Sequence, residues 1–275
     1  MGWRPSKTTT PYGGKFAVTN GRISSMFRIG GRGMEKKEYC FGEDLRQEKA
    51  WELDGITVLH ASVTLPQLAA GVRRARRFDR YYRHLGRAYF AYCEQMLLPW
   101  ARAQCKAALE TSAAWTHTSC EMSYRVTLRE ENIVSLCIDA TETNGPVPRL
   151  VLRRADTWDL AAMLPMPMGE FFPKRAAYRK RLVALARETA QTQMAQGVAV
   201  YDEAYRILLR RTFSSRNYYL TDAGLCFFYP MYAVAPSAEG IVTFTAPYDS
   251  ERGPFAPSML PKLERLLLKK EHLLG

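Results

Sequence analysis

The chain has 275 residues, 47% of them hydrophobic, and six scattered cysteines without a Cys-x-x-Cys pair, which is enough apolar material for a core that needs no disulfides. No apolar run approaches the ~18 residues of a membrane span, and the N-terminus lacks the short apolar block of a secretory signal. No membrane span is therefore expected, and the plain reading is a cytoplasmic protein with reduced thiols.

The net charge of +12 is unevenly spread. Residues 1–33 hold Arg4, Lys7, Lys15, Arg22, Arg28 and Arg32 and no acidic residue, leaving +6 for the other 242 residues. That segment is rich in Gly, Ser and Thr, has no usable periodicity, and reads as a disordered basic tail. Met34 is the expected true start, with residues 34–52 as a lead-in. The competing reading of the tail is a basic arm that grips phosphates.

The first clear element is a strand in "GITVLHASVTLPQL", rich in β-branched residues and ended by Pro66. A long helix is expected from about Gly71 to Ala113. At 100° per residue, Phe78, Tyr82, Leu85, Tyr89, Met96 and Trp100 share one face. Arg73, Arg76, Arg77, Arg80, Arg83 and Arg87 share the opposite one. Pro99 should kink or divide this helix. The arginine stripe is a place for phosphate or an acidic partner, although such a stripe is more often the solvated back of an amphipathic helix.

Three strands follow: "SCEMSYRVTL", a turn at 129–132, then "IVSLCIDATE", and "RLVLRRADTWDL" after "TNGPVP". Alternation of Tyr124, Val126 and Leu128, then Val134, Leu136 and Ile138, predicts an antiparallel meander with one buried face. A second helix is expected over about 174–196, with Tyr178, Leu182, Leu185 and Thr189 inward and Gly197 as its stop. A short helix over about 202–211 follows, capped by Asp202. "NYYLT" and "GLCFFY" read as a hairpin turning at Asp222-Ala223-Gly224, and "GIVTFTAPY" as a third strand. An amphipathic helix closes the chain from Pro261, within 251–275.

Aromatics occupy both faces of the hairpin, so both need cover: one from helices, the other from loops or a partner. Tyr219, Phe227 and Phe228 are expected in the core. Tyr229, Tyr232 and Tyr248 stand beside prolines at strand ends, where a phenol can reach solvent and serve recognition.

Catalytic signatures are missing: no G-x-x-x-x-G-K-[ST], G-x-S-x-G or H-E-x-x-H occurs. His117 and Cys120 have an H-x-x-C spacing without a second ligand pair, so no metal or cofactor is expected. Asp156 and Asp159 flank Trp158, but side chains three apart on a strand face opposite ways. Asp159 is better read as closing a turn. No catalytic residue is assigned.

The residues from "FSSRNYYLTDAG" to "TAPYDS" resemble the C-terminal motif of the RsiV-like family, domain of unknown function 3298. Tyr219, Thr221, Asp222, Gly224, Leu225, Pro230, Tyr232, Ala235, Pro236, Gly240, Pro247 and Tyr248 occupy the motif's places. Upstream, "HASVTLPQL", "YRVTLREENIVSLCIDATE" and "TWDL" are similar to the family's usual N-terminal companion domain, 4163, so that the resemblance covers about residues 55–250. It implies an α+β domain, an antiparallel sheet covered by a long N-terminal helix and a second helix, with a companion part at 53–160 and a C-terminal part at 161–250. It also implies binding rather than catalysis, since relatives include ectodomains of lysozyme-sensing anti-sigma factors and accessory domains of peptidoglycan deacetylases. The family's Gly-Gly-Ala-His-Gly loop is replaced here by "ETNGPVPRL", so no role of that loop carries over.

The expectation is thus a non-catalytic binding or regulatory module whose partner is a protein or a cell-wall-derived ligand. Its partner surface is expected at the strand-end loops, 143–149 with Asn144 and Arg149, and 229–240 with Tyr229 and Tyr232, with Tyr248 nearby and the arginine stripe as a second surface. The alternatives are a cell-wall-related hydrolase or esterase, and a nucleic-acid-binding protein using the tail and the stripe.

Overall fold

The computed structural model describes residues 41–248, apart from 73, 131, 145–147 and 174–175. The basic tail, the start at Met34, Arg73 and the closing helix over 251–275 lie outside these residues.

The fold is α+β. A six-stranded sheet runs in chain order: β1 (Leu45–Leu53), β2 (Ile56–Leu65), β3 (Thr118–Glu130), β4 (Ile133–Thr143), β5 (Pro148–Asp159) and β6 (Leu164–Pro165). Every neighbouring pair is antiparallel except β2 and β3. That parallel pair needs a crossover, which the helical segment between them provides. β1 lies where no element was read. Its register with β2 is set by the tight turn at Asp54-Gly55, both at positive φ.

The crossover begins as α1 (Ala75–Tyr92), passes through one π-helical turn (Cys93–Leu97), and continues as α2 (Leu98–Glu110). Pro99 lies at the start of α2. Its missing N–H and its ring are intolerable in an unbroken helix but suit a first turn, and the π turn absorbs the misfit. The extra residue rotates everything downstream. Phe78, Tyr82 and Tyr89 are buried as expected, but Met96 is 65% exposed and Cys93, Leu97, Leu98, Ala101 and Cys105 take the inner face.

β4 corrects the expectation of a single buried face. Val134, Leu136 and Ile138 pack under α1, while Ser135 and Cys137 on the reverse are also fully buried. Their cover is a second sheet of β7 (Tyr218–Thr221), β8 (Gly224–Tyr229) and β9 (Val242–Pro247). Tyr219, Cys226 and Phe228 pack onto Cys137 and Ala155. Tyr218, Leu220, Phe227 and Tyr229 face away, toward α3 (Tyr178–Ala195) and α4 (Tyr205–Arg211). The far side of the hairpin is therefore covered by the large sheet, not by loops or a partner.

Local signals hold well in this second part. Gly197 at φ 67° ends α3, its N–H bonding to Met194 O and that of Val198 to Gln193 O, a left-handed stop with both orphan carbonyls answered. Asp202 Oδ1 accepts from the Ala204 N–H at 2.7 Å just ahead of α4. Gly224 is required by close approach: a Cβ there would meet the Ala246 carbonyl oxygen at 2.2 Å.

Candidate functional site: a groove along the edge of β5

β5 pairs along its length with β4, but with β6 only at Trp158 and Asp159. Over Arg153 to Thr157 its outer edge opens into a groove of about 720 Å³. The near wall is the consecutive run Arg153 to Thr157, the floor is Pro165 to Pro167, and the far wall is Ser215 to Tyr218. Consecutive residues of one strand can line one cavity only when it is approached edge-on, because successive side chains point to opposite faces.

Two arginines straddle the edge. On the face toward the second sheet, Arg153 makes a bidentate pair with Asp139, at 2.7 and 2.8 Å, and Arg125 holds the same carboxylate at 2.7 Å. Burial opposes the charged form of Asp139, but hydrogen bonds from Arg153 and Arg125 outweigh it and hold its carboxyl below the usual range. On the α1 face, Arg154 reaches Asp156 at 3.3 Å and also donates to the Tyr81 hydroxyl. Asp156 accepts from Tyr81 at 2.8 Å and from Tyr82 at 3.4 Å, and Tyr82 in turn accepts from Trp158 Nε1 at 2.9 Å. Burial first, then the Asp156 charge, pushes the Tyr81 phenol far above its ordinary range, so it stays a donor.

From the far wall Arg216 is exposed, and Arg179 reaches Ser215 at 3.4 Å. Arg153, Arg154 and Arg216 thus line the groove against Asp156, while Arg125 and Arg179 stand one contact behind it, through Asp139 and Ser215. The balance is positive. Guanidiniums held in fixed planes by carboxylates present their remaining N–H groups in set directions, which suits recognition of an oxyanion or carboxylate.

The sequence candidates fall into three groups. Arg149 and Tyr232 are brought together: the Tyr232 hydroxyl approaches the Arg149 carbonyl at 3.5 Å, and the Arg149 guanidinium lies 4.5 Å over the Trp100 ring. Tyr232 is 61% exposed with φ 66°, an uncommon conformation for a bulky residue. Asn144 is exposed at the end of β4. Tyr229 and Tyr248 correct the expectation that their phenols reach solvent: both are buried, Tyr229 donating to Leu209 O at 2.9 Å. Arg76, Arg77, Arg80, Arg83 and Arg87 are all exposed along α1. Arg83 bonds to the Asp79 carbonyl, and none of the five has a carboxylate partner among the described residues.

The carboxylates weighed for acid–base work do not converge. Asp156 is held by Tyr81, Tyr82 and Arg154, while Asp159 accepts the N–H groups of Ala161 and Ala162 at 2.9 and 3.0 Å, closing the turn as expected. Among the described residues no three His, Cys, Asp or Glu side chains cluster with metal-holding geometry, and no helix is long and apolar enough to cross a membrane.

Residues 169–249 match the family described as "Protein of unknown function (DUF3298)". The match takes in α3, α4 and the second sheet, hence the far wall of the groove, while β5 lies outside it. Two solved structures share the wider fold. A DUF3298 member from Bacteroides fragilis is 17% identical with a TM-score of 0.52, covering 82% of this chain and 98% of its own. A DUF3298 protein from Pseudomonas aeruginosa PAO1 is 13% identical with a TM-score of 0.51, covering 82% and 97%. No curated protein matches the chain.

The motif residues in 219–248 turn out to be mostly architectural. Thr221 Oγ1 accepts from Ala223 N and donates to Gly224 O, Gly240 takes φ 62°, and Tyr248 is core. Sequence reasoning missed Arg153, Arg154 and Arg216. For Arg153 and Arg154 the signal was "VLRRAD", adjacent arginines that must point to opposite faces of a strand; Arg216 left none.

Proposed function

We propose that this chain is a non-catalytic binding module of the RsiV-like kind, and that it holds an anionic ligand in the groove beside β5. The groove carries this reading: a sizeable cavity, rimmed by arginines on both walls, two of them locked by ion pairs. The Asp156 network favours holding over proton transfer, because its tyrosine donors are driven to keep their protons. The likeness of 169–249 to a domain of unknown function is compatible with this and names no ligand.

The test uses a fluorescein-labelled octaglutamate as probe, titrated at 50 and 200 mM salt. Saturable binding is expected, weakened at least ~10-fold by Arg216→Glu, which reverses one exposed charge on the far wall. Replacing Arg76, Arg77, Arg80 and Arg87 together by Gln should leave the affinity within ~2-fold. If the stripe variant loses binding and Arg216→Glu does not, the anion site is on α1 and the groove reading fails.

A further inference from the structure

The direction of the unpaired backbone on β5 narrows what the groove can take. Leu160 N donates to Asn132 O, continuing the β4–β5 ladder, while Thr157 O accepts from Met166 N on the opposite side. In an antiparallel strand a residue's N–H and C=O point the same way and alternate along the chain. Even-numbered residues of β5 therefore bond to β4, and Val151, Arg153 and Ala155 aim their N–H and C=O groups outward, the last two into the groove. The edge is bounded at both ends, by β6 at Thr157 and by the Tyr232 hydroxyl at the Arg149 carbonyl. Between them lie seven residues, 150–156, about 23 Å of strand edge.

Exposed edges are normally blunted by charge, bulges or cover, because they template pairing with another chain. Here the outward groups of Arg153 and Ala155 sit inside a walled groove flanked by the Arg153 side chain on one face and Arg154 on the other. Resting on the reading of the groove as an anion site, we infer that its occupant is an extended acidic segment of a partner protein, added as a seventh strand to the large sheet along β5. Backbone hydrogen bonds to Val151, Arg153 and Ala155 supply register. Two adjacent acidic side chains of the segment point to opposite faces, one meeting Arg153, the other Arg154, with Arg216 closing from the far wall. The chain's own ends are poorly matched to this role, since residues 1–33 contain no acidic residue and 261–275 carry four Lys or Arg against two separated Glu.

The experiment is an array of octapeptides carrying an adjacent Glu pair among Val and Thr, with Gln-pair and Lys-pair counterparts, read by fluorescence polarisation against the full chain. Glu-pair peptides are expected to bind at least ~10-fold tighter than Gln-pair ones, with Lys-pair peptides not binding. The best binder is then N-methylated on alternate amides in each of the two phases. Methylation in one phase removes the inward donors and should weaken binding at least ~10-fold, whereas the other phase should change it less than ~3-fold. Equal effects in both phases, or none in either, overturn strand addition while leaving octaglutamate binding and its Arg216→Glu sensitivity intact. Loss of that sensitivity instead removes the groove reading beneath it. Equal binding of the Lys-pair peptides overturns the assignment of an acidic partner.

Discussion

Arginine is used in two ways in this fold, on the outer face of α1 and along the strands of the large sheet. On α1, Arg76, Arg77, Arg80 and Arg87 stand exposed without carboxylate partners among the described residues. At β3 and β5, Arg125, Arg153 and Arg154 are pinned to Asp139 and Asp156, and Arg153 keeps only 15% of its side chain exposed. The first set offers diffuse charge that salt screens within about 8–10 Å. The second offers oriented donors whose side-chain entropy is already spent, so a ligand gains more per hydrogen bond made. A charge stripe read from a sequence says where arginines are many; only the carboxylates beside them say which are positioned.

The sharpest way to break this contrast is Asp139→Asn, which removes the shared anion and strands Arg153 nearly buried. A loss of about 2–4 kcal/mol is expected in urea unfolding. The same residue sets a pH limb. Because the folded Asp139 carboxyl is held below its unfolded value, its contribution is full above about pH 4–5 and disappears as pH falls through the lower folded value. The wild-type acid limb should therefore be steeper than that of Asp139→Asn. Parallel limbs would mean that the pair is not formed in solution.

Tyr82→Phe tests the other pinned arginine indirectly. It removes one donor to Asp156 and leaves the buried Trp158 Nε1 without its acceptor, so about 1–3 kcal/mol should be lost. The indole environment should change visibly in near-ultraviolet circular dichroism. Arg149 stands between the two classes, with no charged partner among the described residues but laid over Trp100. Arg149→Ala should cost about 0.5–1 kcal/mol, measurable as a shift in the urea midpoint with an unchanged slope.

How much of this was legible in the sequence follows the range of the interactions. Strands β2 to β5, the hairpin of β7 and β8 with its turn at Gly224, and the stop at Gly197 were readable because alternation, turn residues and glycine act over a few residues. The burial of Met96 was misjudged because a π turn adds one residue without any composition signal, and Pro99 announced a break without announcing its form. β1 was missed because its side chains are almost all exposed except Trp51, so it has no apolar period to read. Tyr229 and Tyr248 looked like rim residues because they sit beside prolines, but the helices packed on that face cover them. Of the groove, only the adjacent arginines of β5 left a trace in the sequence. Its walls are some 60 residues apart in the chain, and only the packing of the second sheet on the first sets Arg216 across from Arg153.

The weakest perturbation is the most telling for the comparison. Arg76 and Arg80 are four apart on α1, and Arg77 and Arg80 are three apart, spacings at which like charges repel by a few tenths of a kcal/mol per pair. Replacing Arg76, Arg77, Arg80 and Arg87 by Gln should therefore leave stability unchanged or raise it by up to about 0.5 kcal/mol at 20 mM salt, the gain vanishing near 1 M. A loss instead would mean that these guanidiniums do have a partner, and the distinction between positioned and solvated arginines would have to be drawn elsewhere. A salt-dependent gain would show that the stripe is tolerated rather than used for folding. Any selection for keeping it would then lie in solubility or in encounter with an acidic partner before that partner reaches the groove.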